Sequence, residues 1–219
     1  MMPGEKIISI FGFCDIRKFT NATEILKEGV LIFVNEIGHI CHGIVDRYSG
    51  AANKNVGDAF LFVWKLDRDD MYKNKDDELC VRDNSRVNQI ADMSVISFLL
   101  LISGLKKSKK MVKYNQHEGL NRRMPNYEVK LGMGLHLGYS IEGPLGSYYK
   151  IDPTYLSPHV KMAERLESST KVFGVPLLIS EALFTHLSYR TKDRCRPVDW
   201  VIFKGQTKPM KLYTIDVES

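Results

Sequence analysis

Ile7-Ile8-Ser9-Ile10-Phe11-Gly12-Phe13-Cys14-Asp15 and Lys54-Asn55-Val56-Gly57-Asp58-Ala59-Phe60-Leu61-Phe62-Val63-Trp64 decide how this chain folds. The first is short, apolar and rich in isoleucine, so residues 7–14 read as a buried strand that delivers a carboxylate at its end. The second reads as two strands, 51–55 and 59–64, joined by a turn around Val56-Gly57 that carries Asp58 at its tip. If the first strand lies antiparallel to 59–64, as in a split βαβ unit, Asp15 and Asp58 meet at one edge of the sheet. Two close carboxylates repel unless a cation separates them, and on phosphate chemistry that cation is usually Mg²⁺ or Mn²⁺.

Between these stretches, Ile25, Leu26, Leu31, Ile32, Val34, Ile37, Ile40, Ile44 and Val45 recur at helical spacing. They predict a helix over about 22–47, capped by Thr20 or Asn21 and interrupted near Gly29. Leu66–Asn88 is dense in Asp, Lys, Arg and Asn without a period and reads as a surface excursion. An apolar helix over 87–105 follows and runs into Lys106-Lys107-Ser108-Lys109-Lys110, where lysines suit a helix C-terminus. Tyr114–Asn126 reads as a polar connection. Glu128–His136 and Leu137–Leu145 are a pair of strand candidates whose Gly132, Gly134 and Gly138 permit close backbone approach. Pro158 starts a helix through Ser168. A strand at 175–179, a short helix at 180–187 and strands at 198–204 and 210–216 complete the chain.

The 219 residues are 44% hydrophobic, enough for one large core, and the expected organisation is a single domain over 1–219. A net charge of +5 suits an anionic substrate and gives no reason to expect nucleic acid as a partner. Cys14, Cys41, Cys80 and Cys195 form no CxxC pair, which argues against a zinc site or disulfide framework. No apolar run in the sequence reaches membrane-spanning length; the longest, Val95–Ile102, is too short. The Met1-Met2 start reads as one placed on a domain cut from a longer parent. GxGxxG, P-loop and GxSxG motifs are absent, so phosphate would have to be held by metal and basic side chains.

Five segments in order carry a resemblance. Asp15-Ile16-Arg17-Lys18-Phe19-Thr20 is similar to the first metal motif, D-I-x-x-F-T, of class III nucleotidyl cyclase catalytic domains, and Asn55-Val56-Gly57-Asp58-Ala59-Phe60 to their second. Gly134-Leu135-His136-Leu137-Gly138 resembles G-I-H-x-G. The run from Val160 through Arg165 to Ser168 resembles V-N-x-A-x-R-x-E-S, and Phe203-Lys204-Gly205 matches the late K-G. The resemblance implies an α+β fold: a ferredoxin-like, palm-type βαββαβ antiparallel sheet with helices on one face and extra C-terminal elements.

It also implies roles. Asp15, Asp58 and the Ile16 carbonyl would hold two Mg²⁺ or Mn²⁺ ions per site. Lys54 would read the purine, lysine there going with adenine where guanylyl cyclases carry glutamate, and its partner position falls on Thr154. Arg165 would stabilise the α-phosphate transition state, and Lys204 would grip the terminal phosphates. Two positions depart from the pattern. Lys161 stands where the family has the ribose-orienting asparagine, losing an acceptor and adding a mobile charge. Gly132 stands where many relatives have a basic residue, and Lys130, two residues earlier, is the expected substitute.

The activity so implied is adenylyl cyclase: ATP to 3′,5′-cyclic AMP and pyrophosphate at sites shared across a homodimer. The alternatives are a catalytically weak cyclase-homology domain that binds nucleotide and dimerises, and a guanylyl cyclase. The expected location is cytoplasmic, with any membrane association through parent segments outside this chain.

Overall fold

The computed structural model describes residues 3–147 and 149–217. β1 (Glu5–Ile16) is its central strand. Alternation along β1 splits its side chains: Ile8, Ile10, Cys14 and Ile16 enter the main core, while Phe11 and Phe13 lie on the other face. The chain leaves β1 through Lys18, which adopts a left-handed conformation (φ 59°). α1 (Phe19–Leu26), a 3₁₀ turn at Lys27–Gly29 and α2 (Val30–Arg47) follow, so the break expected near Gly29 is present. The expected capping by Thr20 or Asn21 is not: the left-handed turn at Lys18 starts the helix early, and both residues lie inside its first turn.

β2 (Ala51–Val56) and β3 (Ala59–Lys65) form the expected hairpin, with Gly57 at φ 63° in its turn. The 66–88 segment is more ordered than its composition suggests. It contains a small hairpin, β4 (Met71–Lys73) and β5 (Leu79–Val81), and its base is fixed by a fully buried carboxylate. Asp70 Oδ1 accepts hydrogen bonds from Asn84 (2.9 Å) and Arg86 (2.8 and 3.0 Å), long-range partners that no local period reveals.

α3 (Ser85–Lys107) is capped by Asn84, whose side chain accepts from the Val87 amide. The expected polar connection at 114–126 holds two short helices instead, α4 (Lys109–Asn115) and α5 (Glu118–Arg123), anchored by Met111, Tyr114 and Leu120. β6 (Leu131–Ser147) is one continuous strand, not the expected pair. Its first part pairs with β1, and its outer part pairs with β7 (Lys150–Leu156), an element the sequence did not announce. The glycines of β6 therefore serve close packing rather than a break.

Then come α6 (Pro158–Phe173), β8 (Leu177–Ser180), α7 (Glu181–Phe184), α8 (Tyr189–Arg194), β9 (Arg196–Val201) and β10 (Met210–Thr214). The main sheet runs β2-β3-β1-β6-β8-β10-β9. Its first four strands are mutually antiparallel, and α2 and α3 bury Phe33, Ile37, Val95, Phe98 and Leu101 against one face. This is the expected βαββαβ unit with its helices on one side. The extra C-terminal elements extend the sheet through the parallel β6–β8 pair, and α6 covers the Phe11–Val63 face.

The α1–α2 stretch and α3 are long and apolar enough to cross a membrane by length and composition, although the sequence shows no unbroken apolar run of that length. In this fold Phe33, Ile37, Val45, Val95, Phe98 and Leu101 pack into the core, while Leu31, Ile32 and Ile96 are exposed.

Candidate active site

β1 and β3 pair so that Asp15 faces Ala59, one residue after Asp58 in the β2–β3 turn. The two acids therefore meet at one sheet edge. Burial raises the Asp15 pKa, and the neighbouring Asp58 charge raises it further, against the opposing influence of Lys171 and Arg17. Two half-buried carboxylates form a hard oxygen donor set that leaves positions for water and phosphate oxygens, which fits a small divalent cation of the Mg²⁺ type.

Beside them, Arg17 Nη1 donates to Glu167 Oε1 at 2.8 Å, and Nη2 donates to the Thr170 hydroxyl. A Cβ on Gly132 would collide with this Arg17 guanidinium and with Glu167. The departure at Gly132 thus has a local cause: Arg17 fills the space a side chain there would need. Lys130 does not take that place. It precedes β6, is ion-paired to Glu128 at 3.0 Å, and does not line the cavity that gathers Lys161, Arg165 and Lys204. Burial, then the nearby Asp15 charge, raises the Glu167 pKa, and Arg17 opposes both.

Those three basic residues form a second cluster. Lys161 and Arg165 lie four residues apart on one face of α6. Arg165 Nη1 donates to the Lys204 carbonyl at 2.9 Å, tying the helix to the loop after β9. With Glu164, Ser168, Ser169 and Phe203 they line an open cavity of about 460 Å³.

Lys54 and Thr154 form a third element. Lys54 is exposed on β2, and Thr154 is 7% exposed on β7. Asn53 Nδ2 donates to the Pro153 carbonyl at 3.3 Å, a side-chain bond that links the two strands immediately before both residues. Within one chain the acidic edge and the basic cavity stay apart, and the cations that act on Asp15 are Lys171 and Arg17.

What aims α6 is a set of contacts the sequence did not single out. Gly134 lets the helix backbone approach, since a Cβ there would meet Ala163 O and Glu167 N. Gly138 makes room for the His159 ring. His136, 2% exposed, bridges Ser180 Oγ through Nδ1 and His159 Nδ1 through Nε2, both at 2.8 Å. Ser180 Oγ accepts from the Leu183 amide. The proton assignment that satisfies every member has Ser180 donating to His136 and His136 donating to His159. Burial, and secondarily His159, lowers the His136 pKa to about 3, so it stays neutral. Burial also lowers the His159 pKa. The sequence signal for this chain is the pair of glycines flanking a histidine.

The sequence matches the family model of the adenylate and guanylate cyclase catalytic domain over residues 3–217. The chain belongs to this family. An adenylate cyclase of Anabaena cylindrica is 24% identical over 206 residues, 93% of this chain and 36% of that protein. A receptor-type guanylate cyclase of Caenorhabditis elegans is 28% identical over 184 residues, covering 83% of this chain and 11% of that protein. The cyclase domain thus spans about a third or less of these relatives. The adenylyl cyclase CyaB from P. aeruginosa shares the fold, with a TM-score of 0.73 at 21% identity, covering all of this chain and 98% of that one.

Proposed function

We propose that this cyclase domain converts ATP to 3′,5′-cyclic AMP and pyrophosphate. In that reaction the ribose 3′-oxygen bonds to the α-phosphorus, the bond to the bridging oxygen breaks, and pyrophosphate leaves as the 3′-hydroxyl proton passes to solvent. The observation that carries the reading is the meeting of Asp15 and Asp58 at one sheet edge, with a separate cavity lined by Lys161, Arg165 and Lys204.

Asp15 and Asp58, with the Ile16 carbonyl, would hold Mg²⁺ or Mn²⁺, which supplies charge neutralisation of the triphosphate and lowers the 3′-hydroxyl pKa. Arg165 donates to the non-bridging α-phosphate oxygens as charge develops there, its guanidinium oriented by the Lys204 carbonyl. The Lys204 ammonium grips the terminal phosphates. Lys54 donates to purine N1, an acceptor in adenine and a protonated donor in guanine, while the Thr154 hydroxyl accepts from the adenine amine.

Because the acidic edge and the basic cavity stand apart in one chain, the reading includes a second copy whose basic groups face the first copy's acids. Leu145 and Ile151, 54% and 67% exposed on the β6–β7 arm, and Val56 beside Asp58 are apolar surface suited to that contact. Lys161 favours a second reading, a slow enzyme that mainly binds nucleotide, since a mobile ammonium replaces an orienting amide.

The test is turnover of ATP and of GTP with Mn²⁺ across a range of protein concentrations. Cyclic AMP formation with specific activity rising with concentration is expected. Equal or greater GTP turnover overturns the ATP assignment, and binding without turnover of either nucleotide favours the second reading.

A further inference from the structure

A second and larger cavity, about 780 Å³, is lined by Arg17 and Lys171, the two cations that act on Asp15. It is framed by the end of α3, by residues 128–131 entering β6 and by the turn from α6 into β8. That turn is fixed by Gly174 in the left-handed region (φ 66°) and by the Val175 amide donating to Thr170 O at 3.2 Å. Its size falls within the range of small-molecule sites.

The lining is amphipathic. Leu105, Leu131, Val175 and Pro176 supply apolar wall, and Arg17, Lys106, Lys130 and Lys171 supply charge against one carboxylate, Glu128. Lys130 is occupied by Glu128. Among the described residues, Lys106 and Lys171 have no carboxylate at ion-pair distance. Each sits in the last turn of a helix, where the dipole favours a cation, which accounts for one lysine at each end. It does not account for their convergence on one cavity with Arg17, whose guanidinium fork is only partly used by Glu167 and Thr170. Among the described residues no aromatic ring lines the space, so they offer a nucleobase no stacking platform.

We propose that this cavity binds a small amphipathic organic acid, its anionic head against Lys106, Lys171 and Arg17 and its apolar body against Leu105, Leu131, Val175 and Pro176. The head group would share Arg17 with Glu167, whose carboxylate lies beside Asp15. Occupancy is thereby coupled to the acidic edge; that coupling rests on the cyclase reading, whereas binding itself does not.

Isothermal titration of the nucleotide-free protein with decanoate, and with the neutral decanamide, tests the site. Saturable one-to-one decanoate binding is expected, with decanamide weaker by about tenfold, the scale of a lost charge-assisted contact. Lys106→Glu, at an exposed position, should weaken decanoate by a similar factor and leave decanamide unchanged. Val175→Phe, which fills the cavity, should abolish both. Equal affinity for acid and amide, no response to Lys106→Glu, or no saturable decanoate binding at millimolar concentration overturns the proposal. Failure of cyclase turnover with these binding results intact would overturn the catalytic reading and leave the site standing.

Discussion

Asn53 donates a hydrogen bond to the carbonyl of Pro153, joining an edge strand to the bent arm of the sheet across a hundred residues of chain. The bond links the segments that carry Lys54 and Thr154, on strands not paired with each other, without either side chain contributing to the link. Asn53→Ala should therefore loosen the spacing of the two residues proposed to read the purine while both remain. The expected outcome is a several-fold rise in KM for ATP, a smaller change in kcat and a lower ATP-to-GTP preference, read from steady-state kinetics with both nucleotides.

Asp15 and Asp58 should be essential for turnover, and Asp15 should be costly to the metal-free fold. A folded-state pKa raised above the unfolded value means that the stability tied to Asp15 is fully present below the ordinary aspartate pKa. It is lost as pH rises through the raised one. At neutral pH in EDTA, Asp15→Asn should thus melt at a higher temperature than the parent, and the gap should close on acidification. Activity with Mn²⁺ should vanish in the same variant.

The His136 chain predicts the opposite pH trend. A depressed histidine pKa contributes stability that is present above the unfolded value of 6.5 and is lost as pH falls toward the folded value of about 3. Between pH 7 and pH 5 the loss should be about 2 kcal/mol for this buried group. Urea midpoints at the two values measure it. His159→Asn, which keeps an acceptor toward His136, should preserve more stability at pH 7 than His159→Ala. Both should alter kcat more than KM, because His159 sits at the start of the helix that carries Arg165.

Lys161→Asn restores an amide at the ribose-orienting position. Losing one preorganised transition-state donor typically costs about 10²–10³ in rate, so a rise of that order in kcat is expected if the ammonium orients the ribose poorly. A fall in kcat would show that the lysine has become a working phosphate contact.

The sheet was legible because its signals are local: an isoleucine-rich run, a Gly-containing turn and helical spacing from Ile25 to Val45. The pairing of β1 with β3 is the one neighbour relation that two acids meeting at one edge require, and the structure has it. The order of the 66–88 segment has no local signal because it depends on one buried carboxylate and on arginine and asparagine partners many residues away. The close approach expected at the β6 glycines is present, at the α6 backbone for Gly134 and at the His159 ring for Gly138, while the continuity of β6 through Leu137 has no local signal. Arg17 was read only as a variable position between motif residues. That Gly132 lacks a side chain because Arg17 occupies its space is a cross-strand relationship that becomes visible only once β1 and β6 are paired.

Asp70 gives the molecule a practical handle. With the hairpin from Met71 to Val81 closed at its base by Asp70, Asn84 and Arg86, exchanging the tip at residues 74–78 for a foreign peptide is expected to leave β3 and α3 in place, which thermal melting of the exchanged protein checks. A segment grafted there would meet the core through the Asp70 clamp and through Met71, Leu79 and Val81, which pack against it.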